Sequence, residues 1–349
     1  MNTRKENVKE MRLLTSVVSI LLLSPFTLYT VRNSLSLEAG GGEALDPHQS
    51  RWEVVIGKGL TARPEALGER VFALSSDGWA ALVDCERGEI LWRERAGYAF
   101  NSPATIIDNV AYAVSQGAKR FLTAVSLDSG KSLWKHKTGY LKSGPIRVGK
   151  GLAILESDGV LKRFDLQGPT LRWWASLGKP CLNKLFKIGE NLLVCCADTI
   201  FSISADNGEI KERYYSGSLV SFHPLGQGDG ILVVRRRGEV ALMDADREES
   251  IWSINLAPSP VYHVTASGGV LLITAGSDLT CLVPENGEVV WKDRLPSPAA
   301  GPPSIRDDLL AITTVHGGLF IYEKASGKII KKQELGQPVS SPPVMCTSR

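Results

Sequence analysis

The sequence has 349 residues, of which 43% are hydrophobic and 22% are charged, and these proportions exclude a wholly disordered chain. The formal net charge is only +3, from 40 basic and 37 acidic residues, so the chain shows no electrostatic signature of a nucleic-acid partner or of binding to an anionic membrane surface. The 34 glycines are spread along the chain and favour many turns.

The N-terminal region has the features of a targeting segment. Residues 13–31 contain no charged side chain and are flanked by basic residues, and about 20 apolar residues can cross a bilayer as a helix. Pro25 interrupts this stretch, which leaves a cleaved signal peptide as the alternative, with Ser-Leu-Ser at residues 34–36 as its cleavage site. We therefore predict that residues 1–37 are a signal anchor with an apolar helix, or a signal peptide, and that residues 38–50 are a flexible linker. The rest of the chain would then lie outside the cytoplasm.

A single motif recurs along the remainder of the chain at a nearly fixed spacing. Each copy has a turn with an acidic residue and a glycine, followed by a strand that carries a tryptophan in the better copies. Tight turns such as Asp77-Gly78 and Asp158-Gly159 are typical of hairpins and separate the apolar runs. The glycine positions recur every 38 to 42 residues, with Glu248 in the fifth of seven places: Gly88, Gly130, Gly168, Gly208, Gly287 and Gly327. Four short strands in roughly 40 residues are the pattern of a propeller blade.

The repeats predict an all-β fold, a β-propeller of seven four-stranded antiparallel blades that occupies residues 51–349. One such sheet cannot bury both of its apolar faces, whereas radially stacked copies can. Two further strand-like pieces, at residues 51–55 and 339–344, look like the ends of an incomplete eighth blade, or like a brace for the seam where the ring closes. Seven blades are preferred here, with eight left open.

The tryptophans and glycines of the repeat are predicted to form structural pairs. Each ring would dock on the glycine turn of a neighbouring blade, where the missing side chain leaves room for it. The predicted docking residues are Trp92, Trp134, Trp252 and Trp291 on the strands, and Gly88, Gly130, Gly208, Gly287 and Gly327 on the turns.

The better copies, with an acidic residue before the glycine and Lys/Glu-x-x-Trp after it, resemble the PQQ-type repeat of the quinoprotein-like β-propellers over residues 51–345. Among these, the chain resembles the short BamB-type propellers of outer-membrane protein assembly. The resemblance implies a non-enzymatic scaffold that binds other envelope or membrane proteins in the periplasm. That family is typically lipid-anchored, but the first cysteine is Cys85, so the inner membrane or another extracytoplasmic face is expected instead.

The residues offer little support for catalysis. No catalytic residue, cofactor or metal site is predicted, because the five histidines are scattered and no CxxC occurs. Cys195 and Cys196 invite comparison with the vicinal disulfide of some quinoprotein dehydrogenases. They lie in an apolar strand, where adjacent side chains point to opposite faces, so we interpret them as buried and reduced. Cys181 lies one strand away, which leaves a disulfide to either of them open.

Three functional hypotheses follow. The first is a protein-binding scaffold, with Arg235, Arg236 and Arg237 at a hairpin tip as its predicted partner contact. The second is a ligand-binding or sensor ectodomain that uses the central channel, which a basic or aromatic ring at one mouth would indicate. The third is a degenerate quinoprotein dehydrogenase.

Overall fold

A computed structural model describes residues 20–24, 27–31 and 54–345, apart from residues 61, 118, 142–143, 182–183, 216–218, 226–229, 236, 245–248, 257, 260–261 and 337. Within this part of the chain every regular element is a β-strand. In the same residues there is no helix with the length and hydropathy needed to span a membrane.

Seven four-stranded antiparallel sheets make up the fold, and each is a meander of consecutive strands. The first strands are β3 (Glu65–Leu67), β7 (Thr105–Ile107), β11 (Ile146–Val148), β15 (Leu185–Ile188), β19 (Leu219–Pro224), β23 (Tyr262–Ser267) and β27 (Ser304–Arg306). The second strands are β4 (Arg70–Leu74), β8 (Val110–Ser115), β12 (Gly151–Leu155), β16 (Asn191–Cys196), β20 (Gly230–Arg235), β24 (Val270–Ala275) and β28 (Leu309–Thr313). The third strands are β5 (Trp79–Asp84), β9 (Phe121–Ser126), β13 (Val160–Asp165), β17 (Thr199–Ser204), β21 (Glu239–Asp244), β25 (Asp278–Leu282) and β29 (Gly318–Glu323). The fourth strands are β6 (Ile90–Arg95), β10 (Ser132–Lys137), β14 (Leu171–Ser176), β18 (Ile210–Tyr215), β22 (Ser250–Asn255), β26 (Val289–Arg294) and β30 (Ile329–Glu334).

The burial of each strand follows its place in the blade. The second and third strands are buried on both faces, as in β4, where Val71, Phe72 and Ala73 have no exposed surface. Their side chains pack against the next blade, and one such cluster joins Phe72 and Leu82 of blade 1 to Val125 of blade 2. The fourth strands alternate between exposed and half-buried residues, which places them at the rim. The apolar core therefore lies between the blades, as expected for stacked sheets.

The first strands surround the centre of the ring. Going round the ring, β7, β11, β15 and β19 each contact the next first strand. Such short strands that touch one another across successive blades line a central channel. The seven-bladed propeller predicted from the repeats is thus confirmed.

The ring closes through the C-terminal segment. Strand β31 (Val344–Met345) contacts both β27 of blade 7 and β3 of blade 1. Two hydrogen bonds fix the segment that precedes it: Ser340 Oγ donates to the Leu60 carbonyl at 3.0 Å, and Thr313 Oγ1 donates to the Ser341 carbonyl at 3.1 Å. Val344 joins the apolar cluster of blade 1. The C-terminal piece therefore braces the seam.

The N-terminal apolar stretch differs from its prediction where it is described. Strands β1 (Ile20–Ser24) and β2 (Thr27–Val31) form a hairpin, and β1 pairs in parallel with β31 through Leu22 and Val344. An apolar helix was predicted here, but Pro25 disfavours a continuous helix, the second half is rich in β-branched residues, and β31 offers an edge to pair with. Most of the predicted targeting segment and the whole linker at residues 38–50 lie outside the described residues.

Candidate functional site

Tryptophan rings cover glycine turns at several blade interfaces. The Trp92 Nε1–H of blade 1 donates to the Leu127 carbonyl of blade 2 at 2.6 Å. A Cβ added to Gly130 would lie 2.5 Å from Cε3 of that ring, and Gly130 has φ +71°, so the turn has no room for a side chain and favours glycine. A β-bulge precedes the ring, because Ile90 and Trp92 pair with adjacent residues of β5, and the bulge sets the direction of the indole.

The same contact recurs in other blades. Trp252 donates to the Pro284 carbonyl at 2.9 Å beside Gly287, and Trp291 donates to the Lys324 carbonyl at 2.9 Å beside Gly327. Trp134 donates to the Leu166 carbonyl at 3.3 Å, but a Cβ on Gly168 would touch nothing within 4 Å. Gly88 has the same positive φ of 71°.

One docking ring escaped the sequence analysis. A Cβ on Gly208 would lie 2.5 Å from Cε3 of Trp173, whereas the adjacent Trp174 is 63% exposed. The turn of blade 3 is built differently around Gly168, which shifts the register of its Trp-Trp pair by one position. Counting from the bulge of β14, rather than from the glycine, identifies the docking ring.

Two interfaces have a different residue in the tryptophan position. The equivalent position in β18 of blade 4 is Glu212, and in β30 of blade 7 it is Lys331. Glu212 accepts a hydrogen bond from the Tyr214 hydroxyl of its own strand. The opposing turn of blade 5, with Glu248 in place of glycine, lies outside the described residues.

The predicted basic cluster is only partly available to a partner. Arg235 folds back onto its own hairpin, where its Nη1 lies 2.6 Å from Oε1 of Glu239. Arg237 is exposed at the tip, and Arg236 lies outside the described residues. Of the two arginines described, Arg237 alone therefore presents its charge to solvent, and a role in partner contact stays a prediction.

One face of the ring is rigidly built. Among the described connections, those from blade 1 to 2, from blade 2 to 3 and from blade 6 to 7 are hydrogen-bonded through the backbone to the hairpin tip between the second and third strands of the following blade. Examples are the Gln116 N–H to the Ala99 carbonyl at 2.6 Å and the Ser157 N–H to the Tyr140 carbonyl at 2.7 Å. Hairpin tips and connections thus share one face, which we call the hairpin face.

An aromatic–arginine patch, made of Trp79, Arg95, Tyr98, Arg120 and Tyr140, lies on the hairpin face of blades 1 to 3. Tyr98 and Tyr140 are 41% and 43% exposed. Tyr98 lies beside the tip of the next hairpin, since a Cβ added to Gly117 would lie 3.6 Å from the Cβ of Tyr98. The guanidinium of Arg120 stands 5.9 Å from the Tyr140 ring centre, and that of Arg95 stands 5.9 Å from the Trp79 ring centre.

The central channel holds a cluster of titratable side chains. Arg63 and Glu65 come from the first strand of blade 1 and the residues before it, and Lys184 immediately precedes the first strand of blade 4. His223 belongs to the first strand of blade 5 and His263 to that of blade 6. His223 is held in place, because its Nε2 lies 2.8 Å from Ser221 Oγ and its ring lies 5.8 Å from the Phe186 ring.

These groups shift one another's pKa values. Burial lowers the pKa of His223 to about 4, and the positive Lys184 and His263 add to the effect. Burial, followed by Lys184, lowers the pKa of His263 to about 4 as well. Burial also lowers the pKa of Lys184, with a contribution from Arg63. The pKa of Glu65 moves the other way, since burial raises it to about 7 against the pull of Arg63.

The histidines are expected to make the protein sensitive to acid. Between about pH 4 and 6.5 the unfolded chain binds protons at His223 and His263 that the folded chain does not, so the stability they contribute is lost as the pH falls through this window. Each histidine contributes at most on the order of 3 kcal/mol. The contribution of Glu65 to stability has the opposite pH dependence, because the folded state holds the Glu65 proton up to about pH 7. Its share of stability is therefore lost as the pH rises from about 4.5 to 7.

We expect His263→Asn to lose less stability than the wild type between pH 7 and pH 4.5, as measured by urea unfolding at both values. His316→Asn is the matched control, because His316 is exposed at a hairpin tip. Equal pH slopes for His263→Asn and the wild type would contradict the assignment.

The described cysteines include three that form disulfides and two that do not. Cys181 and Cys196 are bonded to each other, with Cα atoms 4.1 Å apart, and Cys85 is also disulfide-bonded. Cys195 and Cys281 are buried and form no disulfide. The expectation of two reduced cysteines at 195 and 196 is therefore wrong for Cys196, which faces blade 3 together with Cys181, while Cys195 faces blade 5.

Metal ligands are not grouped in the described part of the chain, where no three His, Cys, Asp or Glu side chains lie close enough together to hold an ion.

The sequence profile of one family, described as outer membrane protein assembly factor BamB, matches residues 43–184 and 275–348, which is more than half of the chain. The chain belongs to the BamB family. BamB of Shewanella oneidensis is 24% identical over 165 residues, which cover 42% of this chain and 40% of that protein. BamB of Burkholderia pseudomallei is 21% identical over 112 residues, which cover 32% and 29%. The chain thus spans less than half the length of either relative.

Solved structures share the fold at low sequence identity. BamB from Moraxella catarrhalis has a TM-score of 0.65 at 15% identity, covering 81% of this chain and 90% of that one. The quinohemoprotein alcohol dehydrogenase from Comamonas testosteroni has a TM-score of 0.66 at 11% identity, covering 82% and 69%. Blades 4 and 5, which face each other without the tryptophan contact, lie in the stretch between the two segments matched by the BamB profile.

Proposed function

We propose that this BamB-family propeller is a non-enzymatic, extracytoplasmic scaffold that binds other proteins during assembly of the cell envelope. The aromatic–arginine patch is the observation that carries this proposal. Its relatives are outer membrane protein assembly factors, and this supplies the class of process.

The patch has the composition of a binding hot spot. Tyrosine, tryptophan and arginine are enriched at interface centres because they combine large apolar area with hydrogen-bonding ends. The backbone bonds that hold the hairpin face mean that Tyr98 and Tyr140 are presented on ordered connections, which lowers the entropy lost on binding. Arg95 and Arg120 favour a partner segment with acidic residues.

The disulfides support a location outside the cytoplasm. The Cys181–Cys196 bond and the bonded Cys85 would persist in an oxidising compartment, and such bonds are rare in the cytosol. Membrane tethering through residues 13–31 belongs to the same proposal. It requires β1 and β2 to leave the seam, because the same residues cannot pair with β31 and cross a bilayer.

Crosslinking in intact cells, with mass spectrometry of what co-purifies, tests the scaffold. We expect envelope assembly proteins to be recovered with the wild type and their yield to fall at least about tenfold with Tyr98→Ala/Tyr140→Ala, because each removed hot-spot ring is worth about 2 kcal/mol. Tyr215→Ala is the control, since Tyr215 is 77% exposed on the rim, away from the patch. Equal recovery with the double variant and the control would contradict the proposal.

The absence of catalysis is a separate part of the proposal with its own test. Purified full-length protein is given PQQ and Ca²⁺ with alcohol or sugar substrates and an electron-accepting dye. We expect no reduction of the dye. Sustained turnover would replace the scaffold by a quinoprotein dehydrogenase.

A further inference from the structure

The channel carries charged side chains that have no direct partners. Among the described residues, the side chains of Arg63, Glu65 and Lys184 form no ion pair and accept or donate no hydrogen bond. Arg63 and Lys184 are exposed to the solvent of the channel, and neighbouring protein together with Arg63 lowers the pKa of Lys184. Positive charges that face one channel repel one another, as the lowering of the Lys184 pKa by Arg63 indicates, and an anion between them relieves that repulsion.

The cations converge from different parts of the ring. Lys184 directly precedes β15, Arg63 lies two residues before β3, and His263 is the second residue of β23, so all three lie near the same end of the first strands. Blades 2 and 3 separate Arg63 from Lys184 along the ring. The effect of Arg63 on the pKa of Lys184 therefore acts across the channel.

We infer that the channel binds a small oxyanion, a carboxylate or a phosphate, between Arg63 and Lys184, with the imidazoles of His223 and His263 as further hydrogen-bond donors. Arginine supplies a planar fork and lysine a point charge, a combination suited to such groups. This inference goes beyond the proposed scaffold and does not rest on it, because no residue of the patch belongs to the channel site.

The pH dependence of binding follows from the groups that face the site. These are Arg63, Glu65, Lys184, His223 and His263, with Ser221 hydrogen-bonded to His223. As Glu65 loses its proton near pH 7, its charge opposes the ligand. Binding is therefore expected to weaken from pH 6 to pH 8, and Glu65→Gln is expected to remove most of that weakening.

Calorimetric titration of the full chain with sulfate tests the site, because sulfate remains a dianion across this range. We expect the wild type to bind it and the affinity to fall about tenfold or more in both Lys184→Met and Arg63→Met, since each removes a charge-assisted hydrogen bond. Lys187→Met is the matched control, with the same loss of charge on an exposed residue of β15. Loss of affinity as large in Lys187→Met as in Lys184→Met would overturn the inference, as would no binding to the wild type.

Histidine NMR gives the location. Sulfate is expected to shift the imidazole signals of His223 and His263 and to leave that of His316 unchanged, and the reverse pattern would overturn the inference. Inorganic phosphate and succinate then compete for the sulfate site. If phosphate competes better than succinate, the result supports a phosphorylated ligand. If succinate competes better, the result supports a dicarboxylate. If neither competes, the result contradicts an oxyanion site.

Discussion

Replacement of Trp252 with alanine is expected to lower the free energy of unfolding by about 3–5 kcal/mol. The ring is 9% exposed and packs with Leu242 and Leu271 between blades 5 and 6. Its Nε1–H also satisfies the Pro284 carbonyl, so the variant loses both apolar burial and a hydrogen bond. Urea unfolding followed by circular dichroism measures the change. Trp174→Ala is the control, because that ring is 63% exposed, and it should change stability by less than about 1 kcal/mol.

Gly287 tests the other half of this contact. A Cβ there would lie 2.6 Å from the Trp252 ring, at φ +71°, so Gly287→Ala should cost about 2–4 kcal/mol through strain and overlap. Once Trp252 is alanine the overlap disappears, and the double variant should be more stable than the sum of the two single effects predicts. Strict additivity would mean that the glycine is not selected to make room for the ring.

Removal of the Cys181–Cys196 disulfide is expected to cost about 2–4 kcal/mol. The bond joins residues separated by 15 positions, so it restricts the unfolded chain, and a loop of this size corresponds to about 3 kcal/mol. Cys181→Ala/Cys196→Ala is compared with the wild type in urea under oxidising conditions.

Cys195→Ala is the control for this disulfide, because Cys195 is the adjacent residue, is equally buried and forms no disulfide. It should retain the destabilisation that reductant causes in the wild type, whereas the double variant should respond less, with only the bond of Cys85 left to break. Equal responses to reductant in both variants would contradict a stabilising role for this disulfide.

The blades are predictable from the sequence because each repeats the same local pattern of apolar runs, tight turns and a glycine turn. Their number is predictable for the same reason. The ends of the chain are less predictable, since whether residues 13–31 pair with β31 depends on a contact between opposite termini. The apolar composition of that stretch suits both a membrane helix and a buried strand.

The side chains that meet in the channel carry no local signal. Arg63, Lys184 and His263 are far apart in the sequence and are unlike one another, and only closure of the ring brings them together. The disulfide is an intermediate case. Strand alternation shows that Cys195 and Cys196 face opposite sides, but the pairing of Cys181 depends on which side of blade 4 it packs against.

Glu212 and Lys331 occupy the position at which other blades carry the docking tryptophan. Two of the joints between neighbouring blades therefore lack the contact between an indole and a glycine turn. The joint between blades 7 and 1 is reinforced by the C-terminal segment with β31. Among the described residues, no additional segment spans the joint between blades 4 and 5. These two joints divide the molecule into an arc of four blades and an arc of three. A transient opening of the ring would therefore start at the joint between blades 4 and 5 and would separate Lys184, on the arc of four blades, from His223, on the arc of three.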